Sequence, residues 1–456
     1  MITTVLAFLL TLGVLIVVHE YGHYRVAVAC GVKVLRFSVG FGRVLWRRQR
    51  SPGATEFVVC ALPLGGYVRM LDEREGAVAP HEREFAFNRK SLWARTAIVS
   101  AGPLANLGLA VLLYAAAHLI GVVEPKAVLS TPASSSLMEA AGLKGGDWVR
   151  SWSTDGQDWQ DVNSLTDLRW QITQAVLRGS ALHLLVTDRA GHGQRPTRIE
   201  LGKLAAREID ASTMKSIGLG PAFSEPVLGD VKAGGPAEAA GLRKGDRVLS
   251  IDGAMLADAF TVRERIMKSA ASGAGSEQRW RIDRGGQVLE LTVKPRRVSE
   301  GGREFGRVDA FVGPAPEMVT VRQGPVDALL LGAQRTWDVS ALTVRMLGRM
   351  VVGEASLKNL SGPLTIADYA GQSVQQGLTY YLAFLALVSV SLGVLNLLPL
   401  PMLDGGHLMY YAFEGLTGRP VSDLWLARLQ RGGIALLLMM MSVALFNDVA
   451  RLLGLH

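Results

Sequence analysis

The sequence predicts a polytopic α-helical membrane protein: four transmembrane helices, a small β element on the cytoplasmic membrane face and two mixed α/β domains outside the membrane. Three observations predict it. Long uncharged apolar runs interrupt the chain, basic residues crowd into one segment between two of them, and a motif recurs at a fixed offset within the longest polar stretch. The composition agrees, because 49% hydrophobic and 19% charged residues with a mean hydropathy of +0.24 are too apolar for an ordinary soluble protein. A disordered chain is thereby excluded, and a purely cytosolic enzyme is disfavoured. The only cysteines, Cys30 and Cys60, exclude a disulfide framework and any CxxC metal or redox motif, and both are expected to be packing residues.

Residues 2–18, 97–120 and 378–400 carry no charge, and the shorter run at 433–446 extends into its flanks. A helix needs about 20 mostly apolar residues to cross the hydrocarbon, so these are the four spans. Between the first two, residues 24–96 hold 13 Lys+Arg, among them Arg43, Arg47, Arg48, Arg50, Arg89 and Lys90, against 6 Asp+Glu. Positive residues favour the cytoplasmic side, so this segment faces inward and parity places residues from about 121 to 377 outside. The net charge of +8 is therefore a topology signal and not a nucleic-acid footprint.

The outer stretch contains a repeat. Residues 139–149 (EAAGLKGGDWV) and 238–248 (EAAGLRKGDRV) match at an offset of 99, and each opens an alternating apolar segment rich in glycine turns. The pattern resembles the PDZ family, cleanly in the second copy (Gly241, Leu242, Gly245, Asp246, Val248, Ile251, Gly253) and more weakly in the first. Such domains accept an extended peptide as an added strand, which implies binding or filtering, with a plain spacer as the bland alternative. Beyond them, residues 325–357 alternate apolar positions (Leu329, Leu330, Trp337, Leu342, Met346) with Arg335, Asp338, Arg345 and Arg349, the pattern of an amphipathic helix lying at the membrane surface.

The first span runs into His19-Glu20-Tyr21-Gly22-His23. On a helix, positions i and i+4 share a face, so His19 and His23 can offer two imidazole nitrogens to one metal while Glu20 stands beside them to act on a water. Ionisable groups at the end of an apolar helix are costly unless ligated or paired, which favours a zinc-hydrolase motif over chance. Catalytic zinc takes three protein ligands and keeps a fourth position open. The third span also ends on the cytoplasmic side, at Asn396-Leu-Leu-Pro399-Leu-Pro401-Met-Leu-Asp404-Gly405-Gly406-His407, where Asp404 is the natural third ligand, with His407 and Glu414 as fallbacks. Pro399 and Pro401 break the helix there and the glycines let the backbone turn tightly.

Asn396 is a polar side chain in an apolar helix, suited either to capping the broken helix or to holding an extended substrate backbone. In the second span, Gly102-Pro103-Leu104-Ala105-Asn106 offers small residues for close packing against the first, with direct catalysis the lesser role. Two glycine-rich pieces, with Gly40 and Gly42 in one and Gly65 and Gly66 in the other, flank β-like sequence and suggest a small sheet beside the metal. Its edge could receive an unwound substrate as another strand, because a helical substrate must unwind before a peptide bond is accessible.

HEYGH, GFG, PLGGYV, AGPLAN, the paired PDZ-like domains, NLSGP at 359–363 and NLLPLPMLDGGH, in that order over essentially the whole chain, resemble the bacterial site-2 protease family of intramembrane zinc metalloproteases. The resemblance implies Zn2+ held by His19, His23 and Asp404, with Glu20 as general base and Asn396, Gly40, Gly42, Gly65 and Gly66 on the substrate. It implies a protease of the bacterial inner membrane whose two periplasmic mixed α/β PDZ-like domains exclude substrates that still carry bulky outer domains. Its substrates would be single-span membrane proteins trimmed beforehand by another protease, such as an anti-sigma factor in envelope-stress signalling, and signal-peptide remnants. The partners are then those substrates and the lipid bilayer, with no nucleic acid.

The expected organisation is a first span at 1–23, a cytoplasmic β region at 24–96, a second span at 97–120, PDZ-like domains at 121–221 and 222–310, and amphipathic helices at 311–377. A third span with the DGG motif follows at 378–407, then a cytoplasmic turn and fourth span at 408–456. Three rivals remain: a membrane PDZ scaffold without proteolytic activity, a membrane zinc protease with a glutamate as third ligand, and an N-terminus that is a removable signal ending at Cys30. The last would delete HEYGH, and no basic residues precede the apolar run.

Overall fold

Among the described residues, four helices are long and apolar enough to cross a membrane: Ile2–Ala29, Leu92–Ile120, Leu378–Leu397 and Leu424–Val449, with mean hydropathies of 2.4, 1.8, 2.0 and 1.8. In the computed structural model, which describes residues 2–204, 211–269, 277–300, 303–352 and 362–452, the chain forms two compact units. One comprises residues 1–122 and 322–456, the other residues 123–321.

The first unit opens with α1 (Ile2–Ala29), 28 residues long. At 1.5 Å per residue it spans about 42 Å, more than the roughly 30 Å of hydrocarbon, so HEYGH lies within a continuous helix that runs beyond the apolar 2–18 stretch. Two 15-residue antiparallel strands follow, β1 (Val34–Arg48) and β2 (Glu56–Met70). Both bend sharply, so that the first part of β1 pairs on one side with Glu56–Val59 and on the other with Gly66–Met70, while residues 44–48 pair with the far side of 57–60. The two bent strands thus place four segments side by side in one sheet, with Gly66–Met70 at one edge and residues 44–48 at the other. Gly40, at φ 87°, turns the chain where a Cβ would stand 2.5 Å from the Leu62 carbonyl oxygen.

The helix α2 (Leu92–Ile120) starts at Ser91, whose side chain accepts from the Ala94 N–H. It packs on α1 at Gly22, where a Cβ would lie 2.4 Å from the Ala101 carbonyl oxygen.

In the second unit each repeat builds a four-stranded antiparallel sheet covered by a helix. The first has Gln160–Asp161, β3 (Trp148–Ser153), β4 (Leu182–Thr187) and β5 (Arg195–Ile199) in that order, with α3 (Leu165–Arg178) burying Leu168 and Ile172 against Val149 and Leu184. The second has Ala254–Met255, β6 (Arg247–Ile251), β7 (Gln278–Arg284) and β8 (Gln287–Val293), with α4 (Ala259–Lys268) over Trp280, Ile282 and Val248. Asp258 joins them: it caps α4 by accepting from Thr261 N–H at 2.8 Å and also accepts from the Thr131 hydroxyl at 2.7 Å. The second repeat continues past 310, because Val312 pairs with Leu228.

The chain re-enters the first unit in α5 (Pro325–Val351), which lies along α2 with Gly332 tight on the Val111 carbonyl and Val339 in a shared core with Ala110, Tyr114 and Val390. Its opposite side leaves Leu330, Trp337 and Leu342 exposed. Of the NLSGP stretch, Asn359, Leu360 and Ser361 lie outside the described residues. The next helix, α6 (Pro363–Gln376), is held by the buried Asp448, which accepts from Gly362 and Leu364 N–H at 2.9 Å each.

The segment expected as one span at 378–407 comprises α7 (Leu378–Leu397), a turn through Pro399 and Pro401, and a new helix α8 (Asp404–Thr417). The prolines supply no N–H to continue α7, and Asp404 is the first residue of the restart. The last helix is α9 (Asp423–Leu452).

Candidate metal centre

His19 and His23 project from one face of α1 toward Asp404 at the start of α8. The His19 Nε2 is 3.2 Å from Asp404 Oδ2, the His23 Nε2 is 3.5 Å from the same oxygen, and the two Nε2 atoms are 3.2 Å apart. Ligand atoms bound at 2.0–2.1 Å to a tetrahedral zinc stand about 3.3 Å from one another. Two imidazoles and a carboxylate therefore already form one face of a tetrahedron of the right size, largely buried, with side-chain exposures of 12%, 11% and 19%. The donor set fits Zn2+.

Asp404 reaches this position through a strained turn. Met402 adopts φ 83°, a region that non-glycine residues enter at a cost, and Gly405 sits so that a Cβ would fall 2.1 Å from the Leu398 carbonyl oxygen. Placement at the first turn of α8 also puts the carboxylate at the positive end of that helix.

The helix α2 supplies the surroundings of both histidines. The His23 Nδ1–H donates to the Ile98 carbonyl at 2.8 Å, and since a carbonyl only accepts, the Nε2 lone pair is left facing the cluster. Asn106, completely buried, places its side-chain amide 3.2 Å from His19 Nδ1. Glu20 is half-buried beside the ligands and flanked by the sheet edge: a Cβ on Gly66 would lie 3.0 Å from Glu20 Cγ and 2.8 Å from the Ser38 carbonyl oxygen. Gly65, at φ 99°, lies against the Phe41 ring, which stacks on Tyr67 with centroids 6.0 Å apart. Gly42 is in more open space on the same hairpin.

Not every candidate joins the cluster. Among the described residues the only group of three or more close metal-type donors is His19, His23 and Asp404. Glu414 instead takes two hydrogen bonds from Arg95, at 2.6 and 3.2 Å, and His407 packs edge-on to Tyr410. Asn396 lies half-buried near the end of α7, and its side-chain amide makes no hydrogen bond among the described residues. The sequence marks Asn106, like Asn396, as a polar amide in an uncharged span, but not its place beside His19.

A membrane-length helix carrying two histidines and a glutamate, met by a carboxylate at the start of the short helix α8, has the layout of a membrane-embedded metallopeptidase. The sequence profile of "Peptidase family M50" matches residues 7–440, and the chain belongs to this family, the site-2 proteases. It is 39% identical over 456 residues to the regulator of sigma-E protease RseP of Escherichia coli K12 and 40% identical over 457 residues to the regulator of sigma E protease of Salmonella typhi, with 98% of each chain covered in both cases. A protein of Ralstonia nicotianae named "Putative zinc metalloprotease RSc1411" is 41% identical over 464 residues, covering 99% of both chains.

Proposed function

We propose that this chain is a zinc endopeptidase that cuts single-span membrane proteins inside their apolar segments. The observation that carries this reading is the triangle of His19 Nε2, His23 Nε2 and Asp404 Oδ2, with edges of 3.2 to 3.5 Å, formed where the membrane-length helix α1 meets the start of α8. His19, His23 and Asp404 would hold the zinc, which when bound would supply a water nucleophilic near neutral pH and an electrophile for the scissile carbonyl. Glu20 takes the proton of the attacking water and returns it to the leaving amine. With side-chain exposures of 11 to 19%, the three ligand residues are poorly screened by bulk water, which strengthens these interactions.

The substrate must present an unwound backbone. The Gly66–Met70 edge, unpaired on its outer side among the described residues and adjacent to Glu20, supports reception of such a segment as an added strand, shaped by Gly40, Gly42, Gly65 and Gly66. The unpaired amide of Asn396 would hold the segment from the other end.

By likeness to the sigma-E regulators, the substrate is an anti-sigma factor trimmed beforehand on its outer side, with signal-peptide remnants as a second class, and the site of action is the bacterial inner membrane. The repeat domains then face the periplasm as PDZ-like modules. In the second, a cleft of about 480 Å³ between α4 (Arg263, Ile266, Met267) and the segment containing Phe305 and Phe311 supports docking of an extended peptide. Zinc content of the purified protein tests the centre: about one ion per wild-type chain and its loss in both His23→Ala and Asp404→Ala are expected. Retention in Asp404→Ala would place the third ligand elsewhere.

A further inference from the structure

Positions 98, 102 and 106 of α2 follow one another at four-residue spacing and so form one stripe on the helix. All three meet the HEYGH face of α1: Ile98 through its carbonyl on His23, Gly102 against the His23 ring, and Asn106 at His19 Nδ1. Asn106 is 0% exposed, its backbone carbonyl accepts from Ser389 Oγ of α7 at 2.7 Å, and its Oδ1 has no hydrogen-bond partner among the described residues. A buried amide oxygen left unpaired costs on the order of 1–3 kcal/mol, so a side chain kept in this state needs a reason.

The reason lies in the imidazole it faces. When His19 Nε2 offers its lone pair to the point shared with His23 and Asp404, its proton resides on Nδ1, which then requires an acceptor. The atom placed 3.2 Å from His19 Nδ1 is the amide nitrogen Nδ2; the oxygen and nitrogen of a carboxamide exchange places by a half-turn of the side chain, and that exchange brings Oδ1 onto Nδ1–H.

We propose that Asn106 is a positioning residue for the metal centre: its carboxamide oxygen accepts the Nδ1–H of His19, fixing the ring and its tautomer with Nε2 toward the metal. Ile98 does the same for His23 through its backbone, so one helix orients both imidazoles. The proposal rests on the reading of His19, His23 and Asp404 as metal ligands. It adds an element outside both ligand-bearing motifs, and it predicts that metal affinity depends on a residue that never touches the metal.

The test uses full-length, detergent-purified protein and zinc itself, with affinity measured by chelator competition and the thermal stability of the zinc-free form measured in parallel. Asn106→Leu fills nearly the same volume without an acceptor; Asn106→Ala is the second acceptor-free variant if leucine does not fit. Asn106→Asp keeps an acceptor in place. Loss of an outer partner of a ligating histidine typically weakens metal binding by about 10- to 100-fold, which is the loss expected for leucine and alanine while zinc-free stability stays near wild type. The aspartate variant is expected to bind zinc within about threefold of wild type, a rescue that a packing role would not give. Zinc affinity unchanged in the acceptor-free variants, or reduced equally in all three, would overturn the proposal alone. Absence of zinc from wild type would overturn the metal-centre reading, and the proposal with it.

Discussion

Gly102 of α2 lies so close to His23 that a Cβ placed on it would stand 2.2 Å from Nε2, the atom that faces Asp404. No side chain fits there while the imidazole keeps its place. Gly102→Ala is therefore expected to push His23 out of the cluster and weaken zinc binding at least about tenfold. Gly108→Ala, on the same helix with nothing within 4 Å of the added atom, is the control and should retain both zinc and cleavage. Zinc titrations of the two variants side by side decide it, and equal affinity would show that the ring tolerates displacement.

Glu414 and Asp404 are both carboxylates of α8, and only Asp404 joins the histidines. The Arg95 guanidinium occupies Glu414 and also lies over the Tyr411 ring, 5.1 Å from its centroid. Glu414→Gln should thus keep zinc and lose part of the tie between α2 and α8, with a stability cost of roughly 1–2 kcal/mol. Metal analysis of Glu414→Gln and Asp404→Ala distinguishes the two carboxylates, and loss of zinc in the former would reverse their roles.

In the second repeat, Asp246 is buried and accepts from Arg284 at 2.7 and 2.8 Å and from the Arg243 N–H at 2.8 Å. Burial works against its charge, but these donors outweigh it and hold the carboxyl below the usual range. With the folded value below the unfolded value near 3.9, the unfolded chain binds more protons in acid. The stabilisation is present above about pH 4 and is lost as pH falls through the lowered folded value. Asp246→Asn should cost about 2 kcal/mol at neutral pH and flatten the acid dependence. Hydrogen exchange of strand Arg247–Ile251 in the full chain measures both effects, and unchanged protection would remove this pair from the stability of the domain.

How much of this was legible in the sequence follows from which signals are local. HEYGH and the DGG stretch announce themselves because spacing on one helix and helix-breaking prolines are local properties, and the uncharged runs mark the spans by composition alone. The restart of a helix at Asp404 itself was not legible, since it depends on Met402 at φ 83° and on Gly405 folding back against Leu398. The packing of the Gly102–Asn106 stretch on the first span was legible, but which imidazole Gly102 and Asn106 would meet was not, for a related reason. Both meetings come from the crossing of α1 and α2, which brings together residues 87 positions apart in the case of Asn106 and His19. The amphipathic pattern of 325–357 predicts a helix at the membrane surface, whereas Gly332 and Val339 turn one face of α5 onto α2 and α7, a partner the pattern does not name. The hairpin reads as a small sheet, but the double use of β1 as a partner for both halves of β2 depends on bends that alternation does not reveal.

The most direct measurement compares wild type and Glu20→Gln, purified in detergent, on a single-span reporter whose outer domain has been trimmed short, with bound zinc quantified in both. The metalloprotease assignment predicts equal zinc, cleavage within the apolar segment by wild type, and a rate at least about 100-fold lower for Glu20→Gln. Normal cleavage by Glu20→Gln would contradict the assignment of the base. No cleavage by either protein, with zinc bound in both, would contradict the protease itself and favour a membrane scaffold that works through its repeat domains.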